Sequence, residues 1–284
     1  MKKLKKKISF LLLESGLLGL AACATMATKV TDFTIQKKIV YKTVDGESLA
    51  GDLYLPTSAG PKPVALVVHG GSWSSTAGRM LQICEDLARS GYVVFNIDYR
   101  LAPEHLYPKA IEDVRDAAAF LQTHAAQYEI DPKRMIGWGY SAGSQLILMV
   151  GLDPQNHFAA LVGGGTPAQF SSWPFSPIIT RFIGKTYAEA PAVWDEASPV
   201  NHVQKNSPPV FLYHGENDHL VEVDQMYKMR DALQKQGVPV ETHEVPFLGH
   251  IAVYLFSEKS IVLGIDFANR MLQRAQALTN SSTN

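Results

Sequence analysis

Cysteine is close to absent from this chain: Cys23 and Cys84 are the only two among 284 residues, which excludes a disulfide-stapled scaffold. Charge of one sign is missing as well. Lys and Arg number 26 against 27 Asp and Glu, a net charge of −1, so there is no electrostatic footprint for nucleic acid. No stretch of about 20 apolar residues is available to cross a bilayer, and no segment repeats at a fixed period. No H-E-x-x-H supplies the paired histidines of a zinc-peptidase helix. What remains is a chain with 46% apolar residues, enough at this length to build one large core without metal or disulfide.

The N-terminus is built differently from the rest. Five lysines among residues 2–7 precede an apolar segment from Ile8 to Ala22, which ends Leu20-Ala21-Ala22-Cys23. A charged start, a short apolar stretch and small residues before a cut form the pattern of a secretory signal. Leu-Ala-Ala-Cys resembles the lipobox of bacterial lipoproteins. The resemblance implies cleavage before Cys23, a lipid on its thiol, and an exported protein anchored in the bacterial cell envelope, on the periplasmic face or in the outer membrane. Glu14 departs from the pattern, an acid at mid-segment costing about 2.5–3.5 kcal/mol. Residues 1–22 are expected as signal peptide and 23–32 as a tether reaching at most about 35 Å. With Cys23 acylated, Cys84 has no partner; it shares a helical face with Leu81, Leu87 and Ala88 and reads as a small buried apolar residue.

From residue 33 onward the pattern is regular. Two strand-like runs, 33–44 and 48–55, flank an Asp45-Gly46 hairpin turn. Compact apolar runs at 63–68, 92–97, 134–138, 158–162 and 209–213 mark strands buried on both faces. Helical stretches lie between them, at 77–90, from Pro108 onward, after the serine at 141, and at 221–236. A last strand at 240–245 and a helix at 251–277 close the domain 33–278, leaving 279–284 as a flexible tail. An antiparallel start followed by alternating strands and helices predicts an α/β fold with a doubly wound, mainly parallel sheet. Residues 163–205 break the alternation with five prolines and several aromatics, and are expected to form a short apolar cap insertion.

The chemistry-bearing residues cluster at strand ends. Gly139-Tyr140-Ser141-Ala142-Gly143 stands between an apolar strand and an apolar helix, the setting of a nucleophile elbow. A serine hydroxyl needs a base and a group that orients the base. In the order Ser…acid…His, Asp218 lies on the loop past the strand at 209–213, ahead of its rivals Glu222 and Asp224 in the next helix and beside Glu216. His219 is too close to the acid and His243 lies inside a strand, which leaves His250 as the base. His69-Gly70-Gly71-Ser72-Trp73 follows a buried strand and suits an oxyanion loop, with the amides of Gly71, Ser72 and Ala142 as donors. His69 itself reads as a loop anchor. A metal cluster of His214, His219 and Asp218 is the weaker reading, and no metal or organic cofactor is expected.

Taken together, His69–Trp73, Asp98-Tyr99-Arg100-Leu101-Ala102-Pro103-Glu104, Gly139–Gly143, His214–Val221 and Gly249-His250 resemble an α/β-hydrolase esterase. The D-Y-R-L-A-P-E run is similar to the hormone-sensitive-lipase family; the H-G-G-S-W form and the H-G-x-x-D-x-x-V loop are closer to the feruloyl/acetyl-xylan esterase-like branch. Ser72 stands where an HGGG loop has its third glycine, and Ser144 where a further glycine is usual. The resemblance implies a serine esterase of small or medium acyl groups, with Ser141, His250 and Asp218 as triad. Two alternatives stay open: a peptidase of prolyl-oligopeptidase kind, and a hydrolase-fold membrane scaffold without catalysis.

Overall fold

The computed structural model describes residues 32–76 and 79–281. The expected signal peptide, Cys23 with its expected lipid, and all of the expected tether except Asp32 lie outside the described residues. No helix among the described residues is long and apolar enough to cross a membrane.

Eight strands form one sheet in the order β1-β2-β4-β3-β5-β6-β7-β8. Strands β1 (Phe33–Val44) and β2 (Glu47–Pro56) pair antiparallel around the Asp45-Gly46 turn, where both residues have positive φ, 51° and 81°. That is the twist a two-residue hairpin needs. β2 also runs antiparallel to β4 (Val93–Ile97), while β3 (Lys62–Val68), β4, β5 (Ile130–Tyr140), β6 (Ala160–Gly164), β7 (Val210–Gly215) and β8 (Val240–Val245) are parallel. This is the doubly wound sheet with an antiparallel N-terminal hairpin that the chain's alternation predicts.

Each side of the sheet is buried under helices. Val64, Leu66 and Val68 of β3 join one core and Ala65 and Val67 the other, as the period-two geometry of a strand dictates. On the first face pack α2 (Lys109–Thr123), α3 (Ala142–Gly151) and α6 (Asp224–Lys235); on the second, α1 (Leu81–Arg89) and α8 (Glu258–Ser281). Cys84 of α1 is free and buried in that second core.

The strand order turns back at β3, whose neighbours are β4 on one side and β5 on the other. Crossover helices leave from opposite faces there, and a crevice opens at the carboxyl ends of β3 and β5. Val68 pairs with Gly139, so the loops carrying Gly71 and Ser141 emerge side by side.

Several boundaries differ from the periodicity, three of them in the C-terminal third. The closing helix is two helices, α7 (His250–Phe256) and α8, broken at Ser257. Ser257 turns out of the helical path, and its hydroxyl pairs with that of Ser260 at the start of α8, the competition with the backbone that suits serine to helix starts. α8 continues to Ser281, so the expected tail is helical over its first three residues, while 282–284 lie outside the described residues. α6 starts at Asp224, which leaves Glu222 in the preceding loop.

Residues 163–164 complete β6, and 165–205 fold into short helices α4 (Pro177–Ile183) and α5 (Pro191–Glu196), with single turns at Phe170–Ser172 before them and Pro199–His202 after them. Phe170, Phe182 and Trp194 are buried in the first core. Trp73 of the loop after β3 stacks on Phe182 at 4.6 Å and meets the edge of Phe170 at 5.4 Å. The cap is therefore bolted to the body by its aromatics, with Phe175 left 94% exposed at its outer end.

Candidate active site

Ser141 sits between β5 and α3 with φ 54° and ψ −123°. For a non-glycine residue this sparsely populated backbone costs about 1–3 kcal/mol and persists only where the surroundings enforce it. Here the Ser141 amide donates to the Gly164 carbonyl at 2.8 Å, and α3 packs its whole length into the core. Gly143 makes the tight turn possible: a Cβ there would lie 2.1 Å from the Val68 carbonyl oxygen. Ser144, the departure from a glycine, fits because its hydroxyl lies 2.5 Å from that of Thr166 above the bare Gly163.

The loop after β3 is strained in the same sense. Gly71, Ser72 and Trp73 have φ of 116°, 53° and 57°. A Cβ on Gly71 would stand 2.0 Å from the Ser75 carbonyl oxygen, so this position admits glycine alone. Ser72 takes the left-handed conformation at a cost of about 1–2 kcal/mol. The D-Y-R-L-A-P-E run holds the loop in place. Tyr99 stacks on His69 at 4.3 Å and donates its hydroxyl proton to the His69 carbonyl, and the Ala102 amide donates to the Trp73 carbonyl at 2.9 Å. Behind it, Arg100 meets the fully buried Asp113 through two nitrogens. Burial pushes the His69 imidazole below its ordinary value, so His69 stands neutral, as suits a loop anchor.

Asp218 and His250 come together from separate loops. Nδ1 of His250 donates to Oδ2 of Asp218 at 2.6 Å, with both side chains buried. Oδ1 of the same carboxylate accepts from the Leu220 and Val221 amides at 2.9 Å each. Burial alone would raise the Asp218 carboxyl, but hydrogen bonds from His214, His250 and the Val221 amide hold it well below the usual carboxylate range. An ionised carboxylate only accepts, so the proton of the pair is on Nδ1 and the Nε2 lone pair of His250 is free to act as base. The Tyr140 hydroxyl donates to the His250 carbonyl at 2.6 Å and fixes the backbone at the start of α7.

Ser141 and His250 line one cavity together with Gly70, Gly71 and Ser72. A second cavity beside Ser141 is lined by Ser72, Trp73, Leu220 and the cap residues Pro167, Trp173, Ile178 and Ile179. Ala142 begins α3, and the first amides of a helix have no partner within it. Ser141, His250, Gly71 and Ser72 thus line one crevice, with Asp218 hydrogen-bonded behind His250 and Ala142 next to Ser141 in the chain.

The rival acids are engaged elsewhere. Glu222 accepts from the Trp173 indole at 2.8 Å, and Glu216 from the Phe247 amide at 3.1 Å. His219 is exposed and His243 lies in β8. His214, weighed above as a metal ligand, donates Nε2–H to the Val221 carbonyl at 2.7 Å and approaches Asp218 at 3.3 Å. No group of three metal-binding side chains occurs among the described residues.

Two functional residues escape a reading by motif. Gln145 accepts from the Trp73 indole at 2.9 Å and donates to the Ala197 carbonyl at 2.9 Å, which ties the elbow helix to the oxyanion loop and the cap at once. Tyr140 is inside the elbow motif, yet nothing in the motif announces its hold on His250.

A model of the BD-FAE family matches residues 51–233. The chain belongs to the BD-FAE family. The matched part of this BD-FAE chain contains the oxyanion loop, the elbow and Asp218, and stops short of His250. Among characterised proteins it is similar to the esterase LipC of Mycobacterium tuberculosis, 30% identical over 69% of this chain and 54% of that protein. It is also similar to the probable carboxylic ester hydrolase LipM of the same organism, 32% identical over 67% of this chain and 49% of that one. The chain thus spans about half the length of these relatives. A truncated carbohydrate esterase from gut microbiota superposes with a TM-score of 0.77 at 22% identity, covering 87% of this chain and 99% of the other; that likeness establishes the α/β-hydrolase fold.

Proposed function

We propose that this BD-FAE chain is a serine carboxylic-ester hydrolase acting on small or medium acyl esters. The observation that carries the reading is the 2.6 Å contact of His250 with an ionised Asp218, at a cavity that His250 shares with Ser141. Nε2 of His250 takes the proton of Ser141 as its oxygen bonds to the ester carbonyl carbon. The tetrahedral oxyanion is met by the amides of Gly71, Ser72 and Ala142, at the positive end of α3. The carbon–oxygen bond to the alcohol then breaks, and the alcohol leaves with the proton from Nε2. Water attacks the acyl-Ser141 ester, giving its proton to Nε2; collapse releases the carboxylic acid, and Ser141 recovers its proton. Asp218 keeps the imidazole in the required tautomer and stabilises its charged form.

The test is hydrolysis of p-nitrophenyl acetate, butyrate, octanoate and palmitate by the chain and by Ser141→Ala. Loss of a triad serine costs about 10⁶ in turnover in a comparable enzyme. Equal rates from two folded proteins would sink the esterase reading. Hydrolysis of aminoacyl amides in preference to esters would move the peptidase reading forward.

The anchor belongs to the same proposal. The five lysines among residues 2–7, the apolar segment to Ala22 and Cys23 support export and lipid attachment, so that the enzyme would work near a membrane surface. Metabolic labelling with a tritiated fatty acid should mark the chain and not Cys23→Ala; equal labelling of both would remove the anchor.

A further inference from the structure

Two cavities meet at Ser141. They share Ser72 and Leu220; one is walled mainly by cap residues, and the other by α7 together with Gly70, Gly71 and Tyr140. The one under the cap measures about 80 Å³ and excludes His250; the one against α7 measures about 290 Å³ and includes it. We propose that the alcohol half of the ester occupies the α7 cavity and is apolar, an alkyl or aryl alcohol and not a sugar, while the cap cavity takes a short acyl chain. This rests on the serine-esterase reading above.

The assignment follows from where the proton has to go. The departing alcohol oxygen is protonated by His250, so it must come within about 3.2 Å of that ring. Only the α7 cavity contains His250, so the alcohol lies there and the acyl chain extends the other way. A cavity near 150 Å³ takes a benzene ring. The cap cavity is about half that size, and suits an acyl chain of about two to four carbons.

The chemistry of the alcohol follows from the wall. Ile251 and Leu255 of α7 and Leu220 of the Asp218 loop line it, and they stand 62%, 57% and 49% exposed. The hydroxyl hydrogens of the two phenols at this wall are already engaged: Tyr140 donates to the His250 carbonyl at 2.6 Å and Tyr254 to the Arg79 carbonyl at 3.1 Å. No acid, amide, lysine or arginine side chain lines it among the described residues. A sugar placed here would lose water from several hydroxyls and find few partners. An alkyl or aryl group would instead cover three apolar side chains that now face solvent.

The test compares hexyl acetate and phenyl acetate with acetylated xylobiose, using the full chain in detergent below the critical concentration for substrate micelles. Ser141→Ala is run on all three. The expected result is a kcat/KM at least tenfold higher on the apolar acetates, and no activity in Ser141→Ala. Leu255→Gln, a change at an exposed position, should narrow that gap several-fold, chiefly through KM, and leave acyl-length preference at a fixed alcohol unaltered. Ile178→Ala, in the cap cavity and 38% exposed, should shift the acyl optimum to longer chains and leave the alcohol preference in place. Equal or faster turnover of acetylated xylobiose, abolished in Ser141→Ala, would overturn the apolar alcohol and leave the esterase standing. If Leu255→Gln altered acyl preference instead, the two cavities would have been assigned the wrong way round. Absence of hydrolysis of every ester, or activity retained in Ser141→Ala, would take down the underlying reading itself.

Discussion

Oδ2 of Asp218 lies 2.6 Å from Nδ1 of His250 across 32 residues of sequence, in a contact closed off from solvent. Asp218 leaves the end of β7 and His250 opens α7 beyond β8, so the parallel pairing of these two strands brings the carboxylate to the imidazole. Replacing Asp218 with Asn removes the charge and permits the wrong tautomer of His250. Turnover of p-nitrophenyl butyrate should fall by about 10³–10⁴ in a protein that melts cooperatively. A loss below tenfold would show that Asp218 does not orient the base.

Gly71→Ala tests the oxyanion loop without touching the triad. The added methyl would meet the Ser75 carbonyl at 2.0 Å, so the loop has to move and its amides lose their aim. The expected cost is about 10²–10³ in kcat, with KM little changed. Unchanged kcat would mean that the oxyanion is held elsewhere.

Asp113 makes stability depend on acid. Burial alone would raise its carboxyl, but hydrogen bonds from Arg100 and Lys42 hold it below its ordinary value. A carboxyl lowered by folding contributes in full above its unfolded value, about 3.9, and loses that contribution as pH falls towards the folded value. Stability should therefore decline below about pH 4. Asp113→Asn leaves the buried Arg100 with only the half-exposed Glu112 as carboxylate partner among the described residues, at a cost of about 3 kcal/mol near neutrality. Urea unfolding of both proteins from pH 7 to pH 3 should show the gap closing in acid; a constant gap would contradict this account.

Gln145→Leu removes the link between elbow helix, oxyanion loop and cap. It leaves the Trp73 indole N–H and the Ala197 carbonyl without their Gln145 partners, about 1–3 kcal/mol for each unsatisfied group. Both melting temperature and kcat/KM should drop. If neither moves, the cap is held by its aromatics alone.

The main elements could be read because their causes are local. Runs such as Val64–Val68 are apolar throughout and as long as a strand, and Asp45-Gly46 accepts positive φ at both positions. Ser141 stood out as a candidate because the turn demands small neighbours, and Asp218 and His250 because strand ends carry chemistry in open α/β sheets. The break at Ser257 was hidden by apolar periodicity that runs through it. Glu222, placed in a helix by pattern, proves to be a loop residue holding Trp173.

Sequence by itself determined the order of strands and helices and the strained turn at Ser141, since each depends on neighbours within a few residues. Tertiary structure decided which side chains meet. Gln145 with Trp73, Tyr140 with the His250 carbonyl, and the division of the crevice between cap and α7 all join segments tens of residues apart. Hydrogen bonds and cavity walls at that separation are set by sheet order and helix packing, which no local window contains.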